Sequence, residues 1–110
     1  MLSRPHDFAA IQERGTNRSH QLLTARVLRT DLELTRFGLA TGRALGSAVT
    51  RNRIRRRLRE ALRAMASAYR PGWDVLVIAR PASVDAGHET LAAALRDLLE
   101  RGGVLEGSGE

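Results

Sequence analysis

Seven arginines fall between positions 51 and 63, in the order Arg51-Asn52-Arg53-Ile54-Arg55-Arg56-Arg57-Leu58-Arg59-Glu60-Ala61-Leu62-Arg63, with Glu60 the one acid among them. The guanidinium is a planar fork that pairs bidentately with phosphate and with guanine edges and stacks on bases. Such a run therefore points to a polyanion, and to nucleic acid before any other. On a helical wheel Asn52, Arg56, Arg59 and Arg63 recur as i, i+4, i+7 and i+11. They lie opposite the apolar Ile54, Leu58, Ala61 and Leu62. Arg53 and Arg57 flank this stripe on one side and Arg55 on the other. A merely solvated helix face mixes signs to gain i, i+4 support, which a single glutamate cannot supply to seven arginines. Arg51, Arg53 and Arg55 also occupy the first two turns, where the helix dipole disfavours cations and the free N–H groups favour an anion. That placement costs stability and suits a phosphate chain.

The rest of the 110-residue chain sharpens the contrast. It carries 18 arginines, no lysine and 12 acids, for a formal charge of +6. Residues 43–70 hold nine arginines and one acid, whereas residues 71–110 hold three arginines and seven acids. The cationic charge is thus a patch. Codon composition accounts for the missing lysine as well as function does; placement is what favours RNA.

Protein-borne catalysis finds little support. His6, His20 and His88 have no metal-ligand spacing, and the absence of cysteine removes thiolate zinc sites, disulfides and cysteine nucleophiles together. No Gly-x-Ser-x-Gly elbow occurs. The glycines at 38, 42 and 46 lack the Gly-Lys-Ser/Thr ending of a phosphate loop and read as the exit of a strand into a helix. Asp74, just ahead of an apolar strand, reads as a turn cap or an arginine partner. Apolar runs such as Val75 to Ala79 are too short to span a bilayer, and residues 1–10 have no signal-peptide core, so a soluble cytoplasmic protein is expected.

The elements that must position the arginines follow from caps and periodicity. Ser3, Pro5 and Asp7 open a short helix that Gly15 stops. After a polar linker, Thr16 to His20, the segments Gln21–Arg29 and Leu32–Ala40 read as an antiparallel hairpin around Thr30-Asp31, with a third short strand hidden in the region. Ser47 caps a long helix reaching about Tyr69, ended by Pro71-Gly72. Asp74–Ala79 is a strand covered on both faces or central in a sheet, ended by Pro81. Asp85 caps a last helix with Leu91, Leu95, Leu98 and Leu99 buried and Gly102-Gly103 as its stop. Residues 1–103 then form one α+β domain, an α/β sandwich in the order α-β-β-β-α-β-α, and residues 104–110 a flexible tail.

The segment Ala48-Val49-Thr50-Arg51-Asn52-Arg53-Ile54-Arg55-Arg56-Arg57-Leu58-Arg59-Glu60-Ala61 resembles the signature of the protein component of bacterial ribonuclease P, a helix carrying Arg-Asn-Arg, basic residues and Arg-Glu. Asp7-Phe8, Gly15, Arg36-x-Gly38-Leu39, Arg43, Gly46 and Asp74-Val75-x-Val77-Ile78-Ala79-Arg80-Pro81 stand at the family's spacing, so the resemblance covers residues 2–101. It implies a left-handed β-α-β crossover, which no periodicity could indicate.

The same resemblance implies a ribonucleoprotein that removes the 5′ leader of precursor tRNA. In it the RNA subunit performs the hydrolysis with magnesium, held mainly by RNA, while the protein assists. Arg43, Arg51, Asn52, Arg53, Arg55, Arg56, Arg59 and Arg63 are carried over as contacts to the RNA subunit. Phe8 is carried over as a contact to the single-stranded leader, in a cleft between the first helix and the sheet. Gln12 takes the leader position one turn on, where some members have a second aromatic. Phe8 has an equal alternative as an apolar staple of its helix. An RNA-binding accessory protein without enzymatic association is the alternative function. Neither membrane nor DNA is an expected partner, since no tight second helix precedes the arginine helix as in helix-turn-helix modules.

Overall fold

Trp73–Ala79 forms β4, the centre of a four-stranded sheet in the order β1-β2-β4-β3, in the computed structural model of the chain. Leu2 and residues 5–106 are described; Ser3, expected in the first cap, and residues 107–110 of the expected tail lie outside them. The remaining elements are α1 (Pro5–Arg14), β1 (Thr16–Ser19), β2 (Leu23–Arg29), β3 (Arg36–Ala40), α2 (Ala48–Ala64) and α3 (His88–Arg101). The α+β class and the order α-β-β-β-α-β-α are those expected from sequence.

β4 is apolar from Val75 to Ala79 because both its faces are covered. Val75, Val77 and Ala79 join Leu23, Ala25 and Val27 of β2 beneath α2 and α3, which contribute Ile54, Leu58, Leu62, Leu91, Leu95, Leu98 and Leu99. Leu76 faces the other way, into a smaller cluster with Leu2, Ile11 and the half-buried Phe8 under α1. The sheet is thus sandwiched by two helices on one face and one on the other.

The expected hairpin does not form. β2 pairs antiparallel with β4, β4 pairs parallel with β3, and β2 and β3 are not neighbours. The turn between them wraps the start of β4 instead: Thr30 N–H donates to the Gly72 carbonyl at 2.7 Å and Gly72 N–H to the Leu34 carbonyl at 3.2 Å. The third strand lies in the segment expected to be a linker, with Thr16 to Ser19 paired to Val27 to Thr24.

Three ends also differ. α2 stops at Ala64, and a short 3-10 turn, Ala66–Ala68, leads to an extended Tyr69. Asp85 closes a 3-10 turn opened by Pro81, so α3 begins only after Gly87 and no side chain caps it. The tail expected from Val104 starts packed: Gly103, at φ +83°, reverses the chain, and Val104 and Leu105 are fully buried in the main core. Tyr69 and Leu105 form an antiparallel bridge.

Candidate nucleic-acid interface

The helix N-terminus that aims the arginines is built by two residues. Gly46 adopts φ +112°, which a β-carbon would strain, and turns the chain into Ser47. Ser47 Oγ then accepts the Thr50 N–H at 3.3 Å, the cap expected from sequence. Burial of Ile54, Leu58, Ala61 and Leu62 fixes the roll of α2, so Asn52, Arg56, Arg59 and Arg63 face solvent. Among the described residues none of these four enters a side-chain hydrogen bond or ion pair, and the nearest ion-pair geometry on the helix is Glu60 at 4.0 Å from His88. Their charge is available to an external anion.

The flanking arginines are partly committed to the fold. Arg53 Nη2 donates to the Val84 carbonyl at 3.3 Å, Arg57 Nη1 to the Ala86 carbonyl at 2.9 Å, and Arg55 Nη2 to Thr41 Oγ1. Arg57 and Arg53 thereby tie α2 to the turn before α3, and Arg55 ties it to the end of β3. Arg51 and Arg53 are half-buried, each with a buried Nε that has no acceptor among the described residues. Arg43 is exposed on a 3-10 turn, Arg43–Leu45, between β3 and α2. The eight cationic and amide candidates therefore lie on α2 and the turn that precedes it, on the outer side of the sheet's two-helix face.

Phe8 and Gln12 lie on the opposite side. Phe8 packs so closely over Gly38 that a β-carbon there would stand 2.8 Å from Phe8 Cε1. Its ring thus belongs to the small cluster under α1 while keeping part of its surface exposed. Gln12 is exposed, and its carbonyl accepts Arg26 Nη2 at 2.6 Å.

α1 is clamped at both ends, by residues not singled out from sequence as functional. Arg26, pointing out of β2 toward α1, donates through Nε to the Ile11 carbonyl at 2.8 Å as well as to Gln12. A cation there complements the C-terminal end of the helix dipole. At the first turn, Arg36 of β3 reaches Asp7 at 3.4 Å and forms a two-pronged pair with the buried Asp74, at 2.9 and 2.7 Å. Donation of these hydrogen bonds to the Asp74 carboxylate raises the Arg36 pKa further, against the opposing effect of burial, so Arg36 stays charged. Asp74 is therefore the arginine partner expected from sequence. Between this pair and the β2–β3 turn opens a polar cleft of about 490 Å³, bounded in part by Arg14, Arg29 and Arg36. Cross-strand alternation was the available signal for Arg26 and Arg36, since both share the face of Leu76.

Where α2 meets the sheet edge, the Tyr69 hydroxyl donates to the Leu62 carbonyl at 2.6 Å. Burial pushes the phenol up to about 12 despite the lowering charge of Arg96, so it remains a donor at neutral pH. Among the described residues no group of three or more His, Asp or Glu side chains is placed to hold a metal ion, and no helix is long and apolar enough to cross a membrane.

The family model for ribonuclease P matches residues 1–103. The chain belongs to the ribonuclease P protein family. It is 38% identical over 108 residues to the ribonuclease P protein component of Roseiflexus sp. strain RS-1, covering 97% of this chain and 88% of that one. The ribonuclease P protein of Thermotoga maritima superposes with a TM-score of 0.84 at 25% identity, over 96% of this chain and 97% of the other. The Staphylococcus aureus protein, at 24% identity, shares the fold with a TM-score of 0.88 over 96% of both chains. A cationic helix thus dominates the charge of a chain in the ribonuclease P family.

Proposed function

We propose that this chain is the protein subunit of a bacterial ribonuclease P, an endoribonuclease complex, assisting its RNA subunit in removing the 5′ leader of precursor tRNA. The observation that carries this is the outward stripe Asn52, Arg56, Arg59 and Arg63, unpaired among the described residues, on a helix of a chain whose family is ribonuclease P. Together with Arg43, Arg51, Arg53 and Arg55 it forms the surface for the RNA subunit, through phosphate contacts strengthened by a helix N-terminus. Arg53 and Arg55 serve twice, bracing α2 and presenting charge.

The leader is assigned to the opposite face. Phe8 offers a partly exposed ring for a base or sugar, Gln12 a polar group one turn on, and Arg14 and Arg29 line the adjoining cleft for phosphates. Phosphodiester hydrolysis is assigned to the RNA, with magnesium held mainly by RNA phosphates, as the family resemblance implies; among the described residues no three carboxylates or histidines are gathered into a ligand set. The work is expected in the cytoplasm, with neither membrane nor DNA as a partner.

The test is reconstitution of the full chain with a bacterial ribonuclease P RNA at low magnesium. A gain in precursor-tRNA cleavage over RNA alone is expected. RNA affinity with no such gain would leave the chain an RNA-binding accessory and overturn the assignment.

A further inference from the structure

Beneath the C-terminal half of α2, Phe37, Leu62 and Tyr69 line an open cavity of about 280 Å³ whose other walls are Arg59 and Arg63. Phe37 lies on β3, one of the two edge strands, so the cavity sits at an edge of the sheet. The Phe37 and Tyr69 rings pack with centroids 4.7 Å apart and planes tilted by 49°. The Tyr69 hydroxyl is already spent on the Leu62 carbonyl, which holds the ring in place and leaves it as an apolar wall. Both arginines at the rim lack a described carboxylate partner, and both belong to the outward stripe of α2.

An aromatic recess with two cations at its rim matches a ligand that has a flat apolar body joined to anions. An apolar peptide would gain nothing from the cations, and a duplex keeps its bases stacked inside. A single unpaired nucleotide satisfies both halves: its base can pack on the aromatic wall and its flanking phosphates can reach the guanidiniums. We infer that this recess receives an unpaired nucleotide of the RNA subunit, its base packed against Tyr69 and Phe37 and its phosphates held by Arg59 and Arg63. The inference rests on the proposed docking of the RNA subunit along α2. It adds a base-contacting residue, Tyr69, to a surface otherwise made of phosphate contacts.

Affinity of the full chain for a bacterial ribonuclease P RNA, measured across a salt series, tests this. Tyr69→Leu keeps apolar bulk but loses the ring face. It should weaken binding by at least about fivefold, the lower end of base stacking on an aromatic side chain, while leaving the slope of log affinity against log salt unchanged. Arg59→Ala and Arg63→Ala should each lower that slope by roughly 0.7 to 0.9. Tyr69→Phe should recover the affinity lost in Tyr69→Leu. Affinity of Tyr69→Leu within about twofold of the parent would overturn the inference while leaving RNA docking intact, whereas a parent chain that does not bind the RNA would overturn both. Should Tyr69→Leu fail to fold, ultraviolet crosslinking of the parent complex decides: a nucleotide adduct on the Tyr69 peptide supports the recess, and none overturns it.

Discussion

Arg53 and Arg56 stand three positions apart in one run of arginines, yet the structure gives them different work. Arg53 is half-buried and donates to the Val84 carbonyl, while Arg56 is exposed and donates to no described side chain or carbonyl. Arg56→Ala is expected to leave stability within about 0.5 kcal/mol and to lower the salt slope of RNA binding by roughly 0.7 to 0.9. Arg53→Ala should do both kinds of damage, costing about 0.5–1.5 kcal/mol of stability on top of the lost phosphate contact. Urea denaturation beside salt-dependent binding separates the two, and an Arg56→Ala chain that is destabilised as much as Arg53→Ala would contradict the division. Asp74 belongs at this scale too. Its carboxylate is 5% exposed and holds Arg36, which is 26% exposed, so Asp74→Ala leaves a partly buried cation with only Asp7 at 3.4 Å. The expected loss is about 2–3 kcal/mol, below the figure for a fully buried pair because water reaches Arg36. A shift in the urea midpoint corresponding to less than about 1 kcal/mol would show the pair to be dispensable.

Among the elements, those legible in sequence are the ones whose signal is local. Ser47, the periodic Ile54, Leu58 and Leu62, and the unbroken Val75 to Ala79 mark α2 and β4 because capping and burial act within a few residues. Strand β1 was not legible as a strand: Thr16 to Ser19 is polar and lies on a sheet edge, so no apolar alternation marks it. The hairpin expectation follows from the tendency of consecutive strands to pair. It fails here because β4, the most apolar strand, takes the central position between them, and nothing in the spacing of residues 21–40 encodes that insertion. Packing of Val104 and Leu105 was hidden for a similar reason, since two apolar residues after Gly102-Gly103 carry no period. Leu105→Ala is accordingly expected to cost about 2–5 kcal/mol in urea denaturation, the range for truncating a buried leucine, whereas a frayed tail would cost nothing measurable. The contact of α1 with β3 gives a second element-scale test. Gly38→Ala should displace the Phe8 ring and cost about 1–3 kcal/mol. Most of that cost should vanish in a Phe8→Ala background, giving a coupling of at least about 0.5 kcal/mol in a double-mutant cycle. Additive losses would mean that the ring and the glycine do not constrain each other.

For the whole molecule, the sheet acts as a partition. α2 and α3 cover one face and α1 the other, so the arginine stripe and Phe8 sit on opposite sides of a wall centred on β4. Under the proposed assignment, this arrangement keeps the RNA subunit and the leader on different arginines. It also separates their phenotypes. If Arg56 docks the RNA subunit as proposed, its loss acts through assembly and should reduce cleavage of every substrate by the same factor at limiting protein, an effect abolished when protein is raised above the new dissociation constant. In the same assignment the Phe8 ring, beyond its packing over Gly38, serves the leader and not the RNA subunit. Phe8→Ala should therefore weaken binding of precursor tRNA by the assembled particle by about 1–3 kcal/mol while leaving mature tRNA unchanged, and raising the protein concentration should not restore it. Measuring both variants against both tRNAs at two protein concentrations yields a crossed pattern that a single shared RNA surface cannot produce. Equal losses on precursor and mature tRNA in Phe8→Ala would return that ring to a purely structural role under α1.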